Sequence, residues 1–272
     1  MKDILNKITI ILISYKSSEK LKKFIKKAPR KTRILIIDNS KDYKLKKIFK
    51  KKKNIKILFK KNLGYGSSIN YAVKKTITPY FLVVQPDVTG IDKKALENFY
   101  MYAQKVDNNF SVIGPHFLNA SKTGHYQTSL KYKIKKIHNV HGSTMFFYKK
   151  VFIENKGFDE KIFLYWEETD YTKRAIRLGY NAYQLNIVKV KHEKGKAVNT
   201  KNDYEKEILE NFYIWHFIWS KYYFFNKHYG RIVSLLYFFP IILRIFYRLS
   251  IYKNINKKKY NKNLYSNFQL KK

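Results

Sequence analysis

Four short apolar runs near the N-terminus, each closed by polar turn residues and parted from the next by a helix-length stretch, leave this chain very few ways to fold. Residues 8–13, 33–37, 55–59 and 80–84 are rich in β-branched and aromatic side chains. They are continuous, not alternating, which is the pattern of strands buried on both faces of a sheet. Between the first two runs, residues 17–27 set Leu21, Phe24 and Ile25 at helical spacing. Helical patterns follow at 45–49 and, behind Gly64-Tyr65-Gly66, through Lys75. Strands that alternate with helices build an α/β fold with a mostly parallel sheet flanked by helices. Ligands in such sheets bind beyond the carboxyl ends of the strands. The first run is too short, and too poor in small residues behind it, to serve as a signal peptide; a buried first strand is expected instead.

Further along, a helix is expected at 95–106, a strand at 111–114, a basic loop-rich stretch at 122–141 and a strand at 143–148. A short helix at 151–155, a helix at 167–178 capped by Gly179 and a last strand at 182–190 follow. The composition changes at Asn202. Residues 212–223 are dense in aromatics, including Trp215 and Trp219, and 232–243 are nearly all apolar, interrupted by Pro240 and followed by Arg244. A bilayer span needs roughly 20 apolar residues, so this run suits an interfacial or re-entrant helix, or one packed on the catalytic domain. Two regions are expected: a catalytic α/β domain over 1–200, and a helical, membrane-associating region over 201–272 that ends in a lysine-rich tail.

The formal charge of +38 comes mostly from lysine, scattered along the whole chain. Nucleic-acid readers favour arginine for bidentate contacts to phosphate and bases, so nucleic acid is a disfavoured partner. An anionic membrane surface suits the lysines better. The chain has no cysteine, which excludes disulfides and thiolate metal sites.

Four places carry chemistry. Asp38 follows the second strand, where a carboxylate can accept hydrogen bonds from a nucleotide's ribose or base or simply cap a turn. The stretch from Asn62 through Gly64 to Asn70 is a glycine-containing entry to a helix, able to admit an anion or to serve as a plain turn. Asp87, in Gln85-Pro86-Asp87-Val88 after the fourth strand, can hold a divalent metal that bridges a diphosphate. Glu167, Glu168 and Asp170 crowd a helix start behind Tyr165-Trp166. Acids favour that end of a helix, and Asp170 can pair with Arg174 one turn on. One glutamate then remains beside an apolar wall, a candidate general base.

In this order, with Ser14-Tyr15, Gly142-Ser143-Thr144-Met145, Gly157-Phe158-Asp159-Glu160 and His192 with Gly195, these residues resemble the family 2 glycosyltransferases, particularly the bacterial rhamnosyltransferase-like branch with the GT-A fold. The resemblance spans roughly residues 7 to 200. It implies an inverting, metal-dependent transferase in cell-surface polysaccharide synthesis, cytoplasmic and peripheral on the inner membrane. The donor would be a nucleoside-diphosphate sugar, and the acceptor a saccharide or lipid-linked saccharide. It implies Mg²⁺ or Mn²⁺ at Asp87 and His192, with Gln85 where the family usually has asparagine. Glu167 and Glu168 fall on its Glu-Asp pair, whose second member is the base. Ser14, Tyr15, Asp38, Asn62, Gly64, Asn70, Trp166 and Asp170 become substrate-binding candidates. Two other classes stay open at this point: a nucleotidyltransferase, although the first loop lacks the glycines it needs, and a basic membrane or nucleic-acid adaptor without activity.

Overall fold

The computed structural model describes residues 4–120, 130–193, 198, 202–244, 246, 247 and 251. Gly195 and the lysine-rich end after 252 therefore lie outside the described residues, as do 121–129 of the basic stretch. A short 3₁₀ turn (Ile4–Lys7) leads into β1 (Ile8–Ser14), α1 (Ser18–Lys27), β2 (Arg33–Asp38), α2 (Lys44–Ile48) and β3 (Ile55–Phe59). Then come α3 (Tyr65–Lys74), β4 (Tyr80–Val84), β5 (Val88–Thr89), α4 (Lys93–Lys105) and β6 (Phe110–Phe117). After these follow β7 (Ile134–Ile137), β8 (Thr144–Tyr148), α5 (Lys149–Glu154), α6 (Glu167–Arg177), β9 (Asn181–His192) and α7 (Asp203–Tyr229).

The strands join in the order β3-β2-β1-β4-β8-β6-β9-β5, with β7 also on β9. The first four run parallel. β8 runs against both β4 and β6, and β6 and β9 are parallel to each other. The sheet is thus mostly parallel, as the strand–helix alternation implies, with β5, β7 and β8 reversed.

Each apolar run feeds two cores at once. Ile8, Ile10 and Leu12 of β1 and Ile34 and Ile36 of β2 pack with α1 and α4 on one face, while Ile11, Leu35 and Ile37 pack with α3 on the other. Phe146 and Phe147, neighbours on β8, split the same way, because successive side chains of a strand point to opposite faces. Phe146 stacks between Tyr80 and Phe99, and Phe147 on Phe81 beside Phe158 and Tyr171. Burial on both faces is why these strands read as unbroken apolar runs.

Chain order places the site. β1, β2 and β3 step outward in one direction and β4 returns to the other side of β1, which opens a crevice at the strand ends. Because β8 is antiparallel to β4, its first residues meet the end of β4 there; Gln85 donates its amide to Ser143 O at 2.8 Å. The segment 134–137, expected as loop, is instead β7, paired with Ala182–Leu185 of β9.

Contacts divide the chain into two compact units, Met1–Ser220 and Lys221–Lys272. In the second, the end of α7 turns at Gly230 (φ +89°) into a helical stretch over 231–244. Phe225 stacks on Tyr237 at 4.3 Å, and Tyr222 meets Phe238 edge-on. The helix runs on through Pro240, where the sequence predicts an interruption. Among the described residues, no helix is long and apolar enough to cross a membrane.

Candidate active site

β1 and β2 end level, Ser14 opposite Asp38. The Asp38 carboxylate is fully buried. It accepts from Ser14 Oγ at 2.8 Å, from Ser40 Oγ at 3.0 and 3.1 Å, and from the Asp42 amide at 2.8 Å. It therefore organises the β2–α2 turn, as a turn aspartate does, and is held rigid at the strand end where a nucleotide would lie. Tyr15 follows at the surface, and Lys16 next to it bridges to Glu205 of α7 at 2.7 Å.

Asp87 stands just past β4 and His192 at the end of β9, brought side by side by the β5–β9 pairing of Val88 with His192. His192 Nε2 is 3.4 Å from Asp87 Oδ2. Both groups are buried, and among the described residues neither Asp87 oxygen nor His192 Nδ1 has a hydrogen-bond partner. A buried carboxylate whose one close polar neighbour is an imidazole keeps most of its accepting capacity unused. A carboxylate and an imidazole fit an oxygen- and nitrogen-liganded divalent cation whose remaining positions are filled by phosphate oxygens and water. Among the described residues no third acid or histidine completes a protein-only metal site.

The acidic helix start lies across the crevice. Gly64 (φ +105°) presses on the backbone of Phe163 so closely that a Cβ there would sit 2.5 Å from Phe163 O. The Tyr65 amide donates to that same carbonyl at 2.8 Å. The close approach that this glycine allows is thus to the chain itself, not to a ligand. Past Phe163 the chain makes a turn with Tyr165 (φ +65°) and Trp166 (φ +69°) both left-handed, a conformation that costs non-glycine residues about 1–3 kcal/mol each. The turn swings Glu167 and Glu168 toward Gly142. A Cβ at Gly142 would lie 3.6 Å from Glu168 Oε2 and 3.7 Å from Glu167 Oε1, so the two carboxyl groups share one small space. Burial, then the neighbouring Glu168, pushes Glu167 well above the ordinary carboxylate range. Burial raises Glu168 to about 7.

Tyr65 ties the two sides together. Its hydroxyl donates to Gly142 O at 2.9 Å and bonds the Gln85 side chain. It is driven well above its usual pKa by burial and then by the fields of Glu167, Glu168 and Asp87. Tyr65 thus lies within electrostatic reach of Asp87 and of both glutamates.

Three expected site residues serve the chain's own structure. Asn62 Oδ1 accepts from the Gly64 amide at 3.3 Å. Asn70 clasps the Gly157–Glu160 turn, donating to Phe158 O and Glu160 and accepting from the Phe158 amide. Asp170, fully buried, pairs with Arg174 at 2.8 Å, and Arg174 also caps Asn155 O and Gly157 O. The polar groups of all three are thus engaged within the chain.

Three residues beside the site were not singled out in the sequence. Tyr65 lies inside a motif already noted. His141 precedes the Gly142 motif; its ring lies 5.2 Å from that of His192, and its Nδ1 accepts from the Ser143 amide. Tyr213, on α7, is pushed up to about 12 by burial and then by Tyr165, Tyr15 and Asp87; nothing in its aromatic-rich surroundings marks it.

Known proteins resemble this chain in sequence and in fold. The family described as Glycosyl transferase family 2 matches residues 9–163. The low-salt glycan biosynthesis hexosyltransferase Agl10 of Haloferax volcanii is 25% identical over 211 residues, 70% of this chain and 68% of that protein. The mannosyltransferase PcManGT from Pyrobaculum calidifontis, solved with GDP-Man and Mn²⁺, matches with a TM-score of 0.58 at 11% identity over 88% of this chain and 80% of that one. A crystal structure holding UDP, GalNAc and Mn²⁺ matches with a TM-score of 0.56 at 11% identity over 68% of this chain, which spans only 43% of that longer one. These likenesses show the GT-A fold, and the nucleotidyltransferase and adaptor alternatives give way. With the family matched over more than half of its length, the chain belongs to glycosyl transferase family 2 and is a glycosyltransferase using nucleotide-sugar donors.

Proposed function

We propose that this chain moves a hexosyl or rhamnosyl sugar from a nucleoside-diphosphate sugar to a saccharide acceptor, with inversion and with Mg²⁺ or Mn²⁺. The acceptor is carried on a lipid at the cytoplasmic face of a membrane. In this reading residues 1–200 bind the donor and 201–272 meet the membrane. The observation that carries it is the pair of unlike acidic places around Tyr65: Asp87 buried 3.4 Å from His192, and Glu167 with Glu168 against Gly142.

Ser14 and Asp38 present rigid acceptors to the nucleoside, and Tyr15 flanks it. Asp87 and His192 take the diphosphate end, where a divalent ion supplies neutralisation of the departing charge. Glu167 keeps its proton, because burial and its neighbour oppose a second charge so close to the first. Glu168, with a pKa near working pH, accepts the acceptor hydroxyl's proton as that oxygen attacks the anomeric carbon from the side opposite the diphosphate. Tyr165 and Trp166 wall off water beside the pair. A single displacement needs one base, and Glu168 supplies it.

The test is a panel of nucleoside-diphosphate sugars incubated with the protein and Mn²⁺, followed by release of nucleoside diphosphate. One donor is expected to be hydrolysed slowly without acceptor and faster with a lipid-linked saccharide. Release that runs equally well in chelator would remove the metal from the mechanism.

A further inference from the structure

Within the first unit, α7 has two unlike faces. Leu209, Tyr213, His216 and Ser220 turn inward, with Phe212 and Phe217 at the margins. These residues grip the catalytic turn. His216 stacks on Phe163 at 4.5 Å, and Ser220 Oγ donates to Leu164 O at 2.8 Å. Tyr213 and Phe217 meet Tyr165, and Phe217 meets Trp166. Two consecutive left-handed non-glycine residues persist only where their surroundings over-determine them, and here α7 supplies those surroundings. Glu167 and Glu168 come next in the chain, so their aim depends on this helix.

The opposite arc is largely exposed. Ile208, Trp215 and Trp219 are 52%, 59% and 44% exposed, with Ile218 between them, and the two tryptophans stack on each other. Residues 211–220 carry no charge at all. Tryptophan and tyrosine are the side chains of the bilayer interface, and a chain with 57 lysines and arginines against 19 acids is complementary to an anionic surface. The second unit, taken by itself, repeats the pattern: 231–244 exposes Ile232, Leu236, Phe239 and Leu243 between Arg231 and Arg244.

We propose that α7 docks this outer face on an anionic bilayer, and that docking sets the Phe163–Trp166 turn and with it the glutamate pair. The membrane is then a positioning partner of the active site as well as the place where acceptor resides. A surface can shift the turn only by binding one of its arrangements more tightly, and α7 is the shared element that permits this. The activity arm of the test rests on the proposed glycosyl transfer; the optical arm does not.

The double variant W215F/W219F of the full chain keeps an aromatic outer face and leaves Trp166 as its sole tryptophan, since the sequence has three. Mixed with vesicles of phosphatidylglycerol and phosphatidylcholine in equal parts, it is expected to co-sediment and to shift its Trp166 emission. Co-sedimentation with unchanged emission overturns the coupling, and failure to sediment overturns the docking. Adding Phe217→Ala should leave sedimentation intact and abolish the Trp166 response; a response that persists means that α7 is not the route. In the wild type, the same vesicles should raise donor hydrolysis at saturating donor on the order of tenfold, because small misplacements of a reacting group cost up to about 10²-fold. Trp215→Ser with Trp219→Ser, both at exposed positions, should lose binding and stimulation together. A vesicle-free dimer that this serine variant dissolves would assign the face to a second copy and sink the proposal. A Trp166 response with no hydrolysis of any donor would instead sink the glycosyl-transfer reading alone.

Discussion

Glu167 and Glu168 occupy a space that suits one negative charge, and their protonation gives two opposite trends with pH. With Glu168 as the proposed base, donor turnover should climb as pH rises through about 7 and then level off. A flat profile across that window would remove Glu168 as base. Stability runs the other way. In the unfolded chain a glutamate loses its proton near about 4.3; in the folded protein both hold theirs longer, so the native state binds more protons over this range and stability falls as pH rises from there toward 7. Glu168→Gln should therefore melt higher than wild type at pH 8 while losing about 10²- to 10⁴-fold in turnover. Differential scanning calorimetry and a donor-release assay read the two halves separately. The three acids behind an aromatic pair are visible in the sequence, and Arg174, one turn beyond Asp170, already points to which of them is structural. What periodicity cannot reveal is the pair of left-handed residues, because Tyr165 and Trp166 are not the residue types that turn chemistry leads one to expect there.

Among the elements, the joint between α3 and the catalytic turn is the most exacting. Gly64→Ala would force a methyl group to 2.5 Å from Phe163 O at a φ that only glycine adopts freely. Urea unfolding should show a loss of roughly 1–3 kcal/mol or more, and a variant as stable as wild type would mean that the joint can open. Arg174→Ala leaves a fully buried Asp170 without its cation, a change that typically costs about 3–5 kcal/mol. Replacing Arg174 with lysine should recover only part, since one ammonium cannot reach Asp170, Asn155 O and Gly157 O together. The parallel strands and their helices are legible because burial on both faces leaves continuous apolar runs. β5 and β7 are not. A two-residue strand has no period, and Ile134-Lys135-Lys136-Ile137 reads as basic loop because its pairing is decided by the edge of β9, not by its own residues.

For the whole molecule, function depends on a convergence that sequence order conceals. The end of β4 and the end of β9 come together only because β5 folds back onto His192, and no local pattern announces a pairing so distant. Asp87→Ala should abolish the Mn²⁺-dependent part of donor binding in calorimetry; an unchanged affinity would mean that the metal, if used, sits elsewhere. At the other end of the chain, removing residues 221–272 should weaken flotation with anionic vesicles and make what remains more sensitive to salt, since screened lysines contribute less. Equal flotation of both forms would confine the lipid contact to the first unit.

Phe163 gives its carbonyl to the first amide of α3 and its ring to His216 of α7. One peptide thereby joins α3, on the proposed donor side, to α7, the proposed lipid-docking helix. Binding equilibria joined through a common part are reciprocal: by whatever factor a bilayer tightens the grip on donor, donor must tighten adhesion to the bilayer. An enzyme wired in this way would load where its acceptor is anchored and let go of its cargo in open water.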